Sequence, residues 1–183
     1  HARVAGREHE HRRRAVHHVA GGLLLDAGAQ QVRTAAARRP VAVDAEDRAD
    51  RGVHVEVLAA ASPAEVARQA RLVVTTTPSR SPLLSRGDIR PGTLISAVGA
   101  DSPGKQELDP AILSAATLLL VDSLSQCERL GELQHALSEK GRALELGAYC
   151  LAPQPVDPGG ITVCDFTGLG IEDLAIAESV FRK

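Results

Sequence analysis

Four short runs, LVVTTT (72–77), TLISAV (93–98), TLLLVD (117–122) and ITVCDF (161–166), constrain this chain more than any other feature. Each is rich in Val, Ile, Leu and Thr and lacks the in–out alternation of a half-exposed strand. Near-continuous apolar character over so few residues marks a strand covered on both faces. Helix signals lie between the runs. Ser62-Pro63-Ala64-Glu65 opens a helix that extends to about Gln69, with Ser as N-cap, Pro in the first turn and an acid behind it. Leu108 to Ala116 reads as helical, as does Ser125 to about Leu137 with an interruption at Gly131. A last helix runs from Glu172 to Phe181, where Leu174, Ile176, Ala177 and Val180 supply an apolar face. VHVEVL (53–58) is a further short strand, and LAPQPVDPGG (151–160) is a loop. Strand and helix alternating at this spacing predict βαβ crossovers, hence an α/β fold with a mostly parallel sheet and helices on both faces.

Composition narrows the function. A length of 183 residues suits one domain, and a net charge of −2 argues against nucleic acid or an anionic membrane surface as partner. No apolar run approaches the roughly 20 residues that span a bilayer. Aromatics are 2% of the chain, so the core must be built from Leu, Val, Ile and Ala. Cys127, Cys150 and Cys164 form no CxxC or metal-ligand spacing, which fits reduced thiols in the cytoplasm. No secretory signal is evident at the start. Residues 1–20 carry Arg12-Arg13-Arg14, His9, His11, His17 and His18 without apolar periodicity, and read as a disordered or irregular leader. The histidines alone complete no tetrahedral metal set, so no metal site is assigned.

In doubly wound sheets ligands sit beyond the carboxyl ends of the strands. The segments to read for chemistry therefore follow Thr77, Val98, Asp122 and Phe166. Gly99-Ala100-Asp101-Ser102-Pro103-Gly104-Lys105 places an acid where such folds do chemistry, although Asp101 suits a turn or cap equally. Lys105 can meet a phosphate, meet Asp101, or stand in solvent. Thr77-Pro78-Ser79 offers hydroxyls to a cofactor or caps a turn. After Asp165-Phe166 come Thr167-Gly168, whose N–H groups at a helix start make an anion or amide site, or an ordinary cap.

In order and spacing, VVTTTPSRSPLL, PGTLISAVGADSPGKQELD, VDSLSQCERLGEL and ITVCDFTGLGIEDL resemble the ornithine cyclodeaminase/mu-crystallin family, most strongly over 53–183. The resemblance implies a Rossmann-type nucleotide-binding domain over 21–183, NAD or NADP as cofactor, and a homodimer. It also implies chemistry of amino-acid metabolism: cyclodeamination of ornithine to proline, reduction of imino acids such as pyrroline-2-carboxylate, or dehydrogenation of alanine. Some relatives bind nucleotide as crystallins. By the same resemblance Asp101 is the general acid/base beside the nicotinamide, while Ala97, Val98, Gly99, Thr77, Thr167 and Gly168 lie against the cofactor. Lys105 fills a basic slot. The cofactor carries the hydride chemistry at C2 of the amino or imino acid, so the protein must hold two carbons in contact and manage one proton. A carboxylate partly desolvated there is expected to have a raised pKa.

The chain also departs from the family pattern. The nearest phosphate-binding loop is Leu23-Leu24-Leu25-Asp26-Ala27-Gly28-Ala29-Gln30, followed by QQVRTAAARR as a helix. Gly28 fits such a loop, but Asp26 stands where its first glycine belongs and sets a carboxylate beside the phosphates. VAVD (41–44) could be the next strand, with Asp44 either on the ribose hydroxyls, favouring NAD over NADP, or simply one acid of a polar tract with Glu46 and Asp47. Family members also carry a substrate and dimerisation lobe ahead of the nucleotide domain, and residues 1–20 are too few and too polar to supply it. The chain is therefore expected to be the nucleotide half. It is either part of an enzyme acting on a small amino or imino acid or a non-catalytic nucleotide binder.

Overall fold

The computed structural model describes residues 22–25, 31–35 and 56–182, with side chains described from 60 to 182. The leader at 1–20, Gly28, Asp44 and the VAVD segment lie outside the described residues. One eight-stranded sheet dominates. Its strands in chain order are β1 (Gly22–Leu25), β2 (Gln31–Ala35), β3 (Glu56–Ala59), β4 (Leu72–Thr75), β6 (Leu94–Ala97), β8 (Leu118–Val121), β9 (Leu144–Glu145) and β10 (Thr162–Asp165). Their spatial order is β3-β2-β1-β4-β6-β10-β8-β9. Each of the four apolar runs lies in this sheet, three of them as adjacent parallel partners of β10 or as β10 itself. All four residues of β10 are buried, so both faces of the sheet are covered at its centre.

One strand runs the other way. β1 is antiparallel to both neighbours, β2 and β4, and every other pairing in the large sheet is parallel. The helix expected over QQVRTAAARR is replaced at its start by β2, which pairs with β1 from Gly22↔Ala35 to Leu25↔Val32 and with β3 on its other side. Two ladders satisfy more of its backbone than its modest local helix preference can oppose. A second, two-stranded sheet pairs β5 (Arg80–Leu84) with β7 (Gln106–Leu108) in parallel.

The helices are short, and the first two carry side-chain caps. α1 (Pro63–Ala67) has Ser62 as N-cap, its Oγ accepting from Glu65 N at 3.2 Å. α2 (Pro110–Ala115) is capped by Asp109, which accepts from Ala111 N at 2.8 Å. The expected helix from Ser125 to Leu137 is instead α3 (Leu124–Cys127) followed by a 3-10 turn at Glu132–His135. The break falls at Gly131, where a Cβ would lie 2.5 Å from both carboxylate oxygens of Asp165. The N–H groups of Glu132 and Leu133 turn to that carboxylate and leave the helical path. α4 (Leu146–Leu151) precedes the Pro/Gly loop, and α5 (Gly170–Phe181) closes the chain.

The core contains Ile95, Leu108, Ile112, Leu119, Leu133 and Val163, each 0–1% exposed, and no aromatic side chain. The apolar face of α5 is not part of it: Leu174, Ile176 and Val180 are 63–69% exposed. No helix of the described residues is long and apolar enough to cross a membrane.

Candidate functional site

The carboxyl ends of β4, β6, β10 and β8 stand level, with Thr75 opposite Ala97, Ala97 opposite Asp165, and Asp165 opposite Val121. The ladder continues one residue past them: Val98 N donates to Thr75 O and Phe166 N to Ala97 O, both at 2.9 Å. The loops bearing Thr77, Val98, Gly99, Asp101, Thr167 and Gly168 therefore all leave from one rim of the sheet. Ala97 is buried beneath them, whereas Val98 is 39% exposed at the edge. Gly99 lets two loops meet, since a Cβ there would lie 2.4 Å from the carbonyl oxygen of Thr77.

Asp101 is exposed on this rim and paired with Lys105, whose Nζ lies 2.6 Å from Asp101 Oδ1. Ser102 Oγ donates to the same oxygen at 2.9 Å. The ammonium and the hydroxyl hold the Asp101 carboxyl below its ordinary value, against a smaller opposing effect of burial. This reverses the raised pKa expected from the sequence. The loop turns so that Lys105 faces the acid four residues back, and the carboxylate stays ionised at neutral pH. Removing that ammonium in Lys105→Met is expected to move the Asp101 titration upward, read by carboxyl carbon NMR. An unmoved midpoint would show that Lys105 does not set it.

The loop carrying this pair is pinned from the 3-10 turn. Gln134 Oε1 accepts from Gly104 N at 2.8 Å, while its Nε2 reaches Lys105 O at 3.2 Å. His135 Nε2 lies 2.8 Å from the same carbonyl.

The N–H groups of Thr167 and Gly168, read from the sequence as an anion or amide site, are occupied by an internal anion. Asp122 Oδ2 accepts both, at 2.8 and 2.7 Å, and the Thr167 hydroxyl also faces the carboxylate. Gln126 Nε2 completes the corner by donating to Thr167 Oγ1 and Gly168 O at 2.9 and 3.0 Å. Thr167 and Gly168 thus stand on the rim with their amides already used.

Three further buried acids were not singled out by the sequence reading. Asp165 accepts from Glu132 N and Leu133 N at 2.8 and 2.9 Å. Glu132 accepts from Glu107 N and Leu108 N at 2.7 and 3.1 Å. Glu107 accepts from Gly99 N at 2.9 Å and from Thr77 N. Burial pushes the Glu132 carboxyl up to about 8 and the Asp165 carboxyl up to about 6, with backbone N–H groups pulling each the other way. The buried thiol of Cys127 donates to Asp122 Oδ1 at 3.1 Å, and burial raises its pKa.

The rim presents an exposed aliphatic side chain, Val98, and an ionised acid, Asp101. The phosphate-binding strand–loop–helix read from the sequence has no matching element among the described residues. Leu25, the last residue of β1, pairs with Leu72, the first of β4, so β1 ends at the sheet edge opposite Asp101. The element that follows it, β2, is a strand and offers no helix N-terminus to a pyrophosphate.

The sheet order, the parallel centre and the loop-borne acid on one rim define a Rossmann-type α/β domain. Residues 25–183 match the family described as "Ornithine cyclodeaminase/mu-crystallin family", and the chain belongs to it. The alanine dehydrogenase of Archaeoglobus fulgidus is 39% identical over 141 residues, 73% of this chain and 42% of that protein. A structure of an archaeal alanine dehydrogenase dimer with bound NAD superposes with a TM-score of 0.60 at 36% identity, covering 74% of this chain and 43% of that one. The iminosuccinate reductase of Paracoccus denitrificans in complex with NAD+ gives 0.62 at 34% identity, covering 75% and 43%. The chain spans about two-fifths of the length of the curated relatives it matches, 36–42% for the first two.

Proposed function

We propose that this chain supplies the nucleotide-binding half of an NAD(P)-dependent oxidoreductase or cyclodeaminase of amino-acid metabolism. The reaction is hydride transfer at C2 of a small amino or imino acid. The observation that carries the reading is the placement of Asp101, an exposed, ionised carboxylate on the rim beside Val98 and Gly99. When bound, the nicotinamide accepts or donates the hydride. The work left to the chain is a proton. In the oxidative direction Asp101 accepts one from the substrate nitrogen, with Lys105 stabilising the ionised form beforehand. In the reductive direction the same carboxyl returns it. Thr77, Ala97, Val98, Gly99, Thr167 and Gly168 form the floor against which the nicotinamide end rests. The phosphate and ribose roles expected of Gly28 and Asp44 are not part of this reading, because β1 ends at the rim opposite Asp101 and a strand follows it. A homodimer and a cytoplasmic location belong to the same reading.

A second reading, a nucleotide-binding protein without catalysis, is favoured by the ion pair with Lys105 that already engages the Asp101 carboxylate. Titrating the purified chain with NADH and NADPH by cofactor fluorescence, then adding pyrroline-2-carboxylate, separates the two. Binding followed by NADH oxidation supports the enzyme, binding without turnover supports the second reading, and no binding to either nucleotide sinks both.

A further inference from the structure

We propose that Glu107 is a positioning residue: its buried carboxylate bridges the amides of Thr77 and Gly99, sets the spacing of the two loops that face the nicotinamide, and is itself suspended from β10 through Glu132 and Asp165. The nicotinamide part of this statement rests on the function proposed above; the tether does not.

Thr77 and Gly99 each lie two residues beyond a strand end, β4 stopping at Thr75 and β6 at Ala97. Neither amide donates to a strand partner; both donate to Glu107, one to each oxygen. The fit is tight. A Cβ on Gly99 would lie 2.4 Å from Thr77 O and 2.5 Å from Glu107 Cδ, so loop, loop and carboxylate share one contact point.

Glu107 is held in turn. Its own N–H and that of Leu108 go to Glu132, and the N–H groups of Glu132 and Leu133 go to Asp165 on the central strand. The three acids are 0%, 1% and 0% exposed. None is in an ion pair with Lys, Arg or His among the described residues. Burying a carboxylate without a cation is costly, and apolar residues would fill the same space at less cost. What an apolar residue cannot do is accept two N–H groups from two different segments. Glu107 alone does this; Glu132 and Asp165 each accept a consecutive pair from one segment, and the three together lead from the middle of the sheet to both loops. Its first rung leaves β7 two residues after Lys105, so the loop bearing Asp101 is fixed at both of its ends, by Gly99 N and by Glu107 N.

The test is Glu107→Gln, in which the side-chain nitrogen cannot accept a hydrogen bond, so one of the two amides loses its partner. Amide exchange at Thr77 and Gly99 is followed by NMR, and NADH affinity by fluorescence. Exchange at one of them is expected to speed up by at least about tenfold, and the NADH Kd to rise by about tenfold, as for loss of a hydrogen bond to a charged group. Ile161→Val, a small core change just before β10 at the opposite rim of the sheet, should leave both unchanged. Unaltered exchange at both amides overturns the tether, and accelerated exchange with unaltered NADH affinity overturns its role in nucleotide positioning. A wild-type chain that binds no NADH fails the proposed function instead, and the exchange result alone then supports or overturns the tether. Should Glu107→Gln not fold, wild-type protection decides: slow exchange at Thr77 and Gly99 supports the bridge, and exchange at the rate of a free loop overturns it.

Discussion

Asp101→Asn is expected to cut NADH oxidation with pyrroline-2-carboxylate by a factor of about 10² to 10⁴, the usual contribution of a positioned acid or base. NADH affinity should stay within about threefold, because the variant removes a charge from an exposed rim position and leaves the backbone of Val98 and Gly99 in place. Stability should move by no more than about 0.5 kcal/mol, as for most surface substitutions. The loss comes from protonation. Lys105 keeps the Asp101 carboxyl low, so at neutral pH it can take a proton from a substrate nitrogen without first losing its own. Asparagine keeps the shape and can do neither half of the transfer. Turnover surviving within tenfold of wild type would remove Asp101 from the proposed chemistry while leaving the fold and family untouched.

The second large effect is a stability that declines toward alkaline pH. Glu132 has its carboxyl raised by burial from 4.5 to about 8. In the unfolded chain the group loses its proton near pH 4.5, whereas the folded chain keeps it until about pH 8. Between those values the folded state binds more protons, so stability falls as pH rises through the window and levels off above it. The cumulative loss is about 5 kcal/mol, a large part of an ordinary domain's stability. Asp165, raised to about 6, adds a loss of the same sign at the acid end of the window. The groups facing Glu132 are Asp165 and Glu107, both of the same sign, and among the described residues no cation pairs with them. Glu132→Gln should be destabilised by a roughly constant amount, because its amide nitrogen cannot accept from Glu107 N or Leu108 N, but most of the slope should vanish. Urea unfolding at about pH 5 and pH 8.5 reads this directly. Parallel pH profiles for variant and wild type would mean that Glu132 does not hold a proton in the fold.

The centre of the sheet was legible because Val, Ile and Leu in short unbroken runs have few other ways to be buried. The caps at Ser62 and Asp109 were legible because each signal is contained in four consecutive residues. β5 and β7 were not: RSPLL and QEL carry neither alternation nor a continuous apolar run, and they pair only because the loop between 98 and 106 folds back. β2 looked helical because QQVRTAAARR considered alone suits a helix, and only pairing with β1 and β3 makes its start a strand. Among the site residues, Asp101 was found by its place after a strand, but the direction of its pKa depended on where a lysine four residues on would point. The carboxylate ladder escaped altogether, since its rungs join residues 8 to 33 positions apart. One signal was available: an acid inside ITVCDF, a strand otherwise built for a dry interior, has to be answered by donors from elsewhere in the chain.

The closing helix behaves differently from everything before it. Twelve residues are about the shortest stretch that stays wound in water by itself, and this one turns Ile171, Leu174, Ile176, Val180 and Phe181 outward, with no side chain tucked into the domain. Its coil is held by its own turns and by the Glu172 carboxylate accepting from Leu169 N at its start. The segment can therefore unwind while the strands stay zipped, and its twelve residues melt on a separate and earlier schedule.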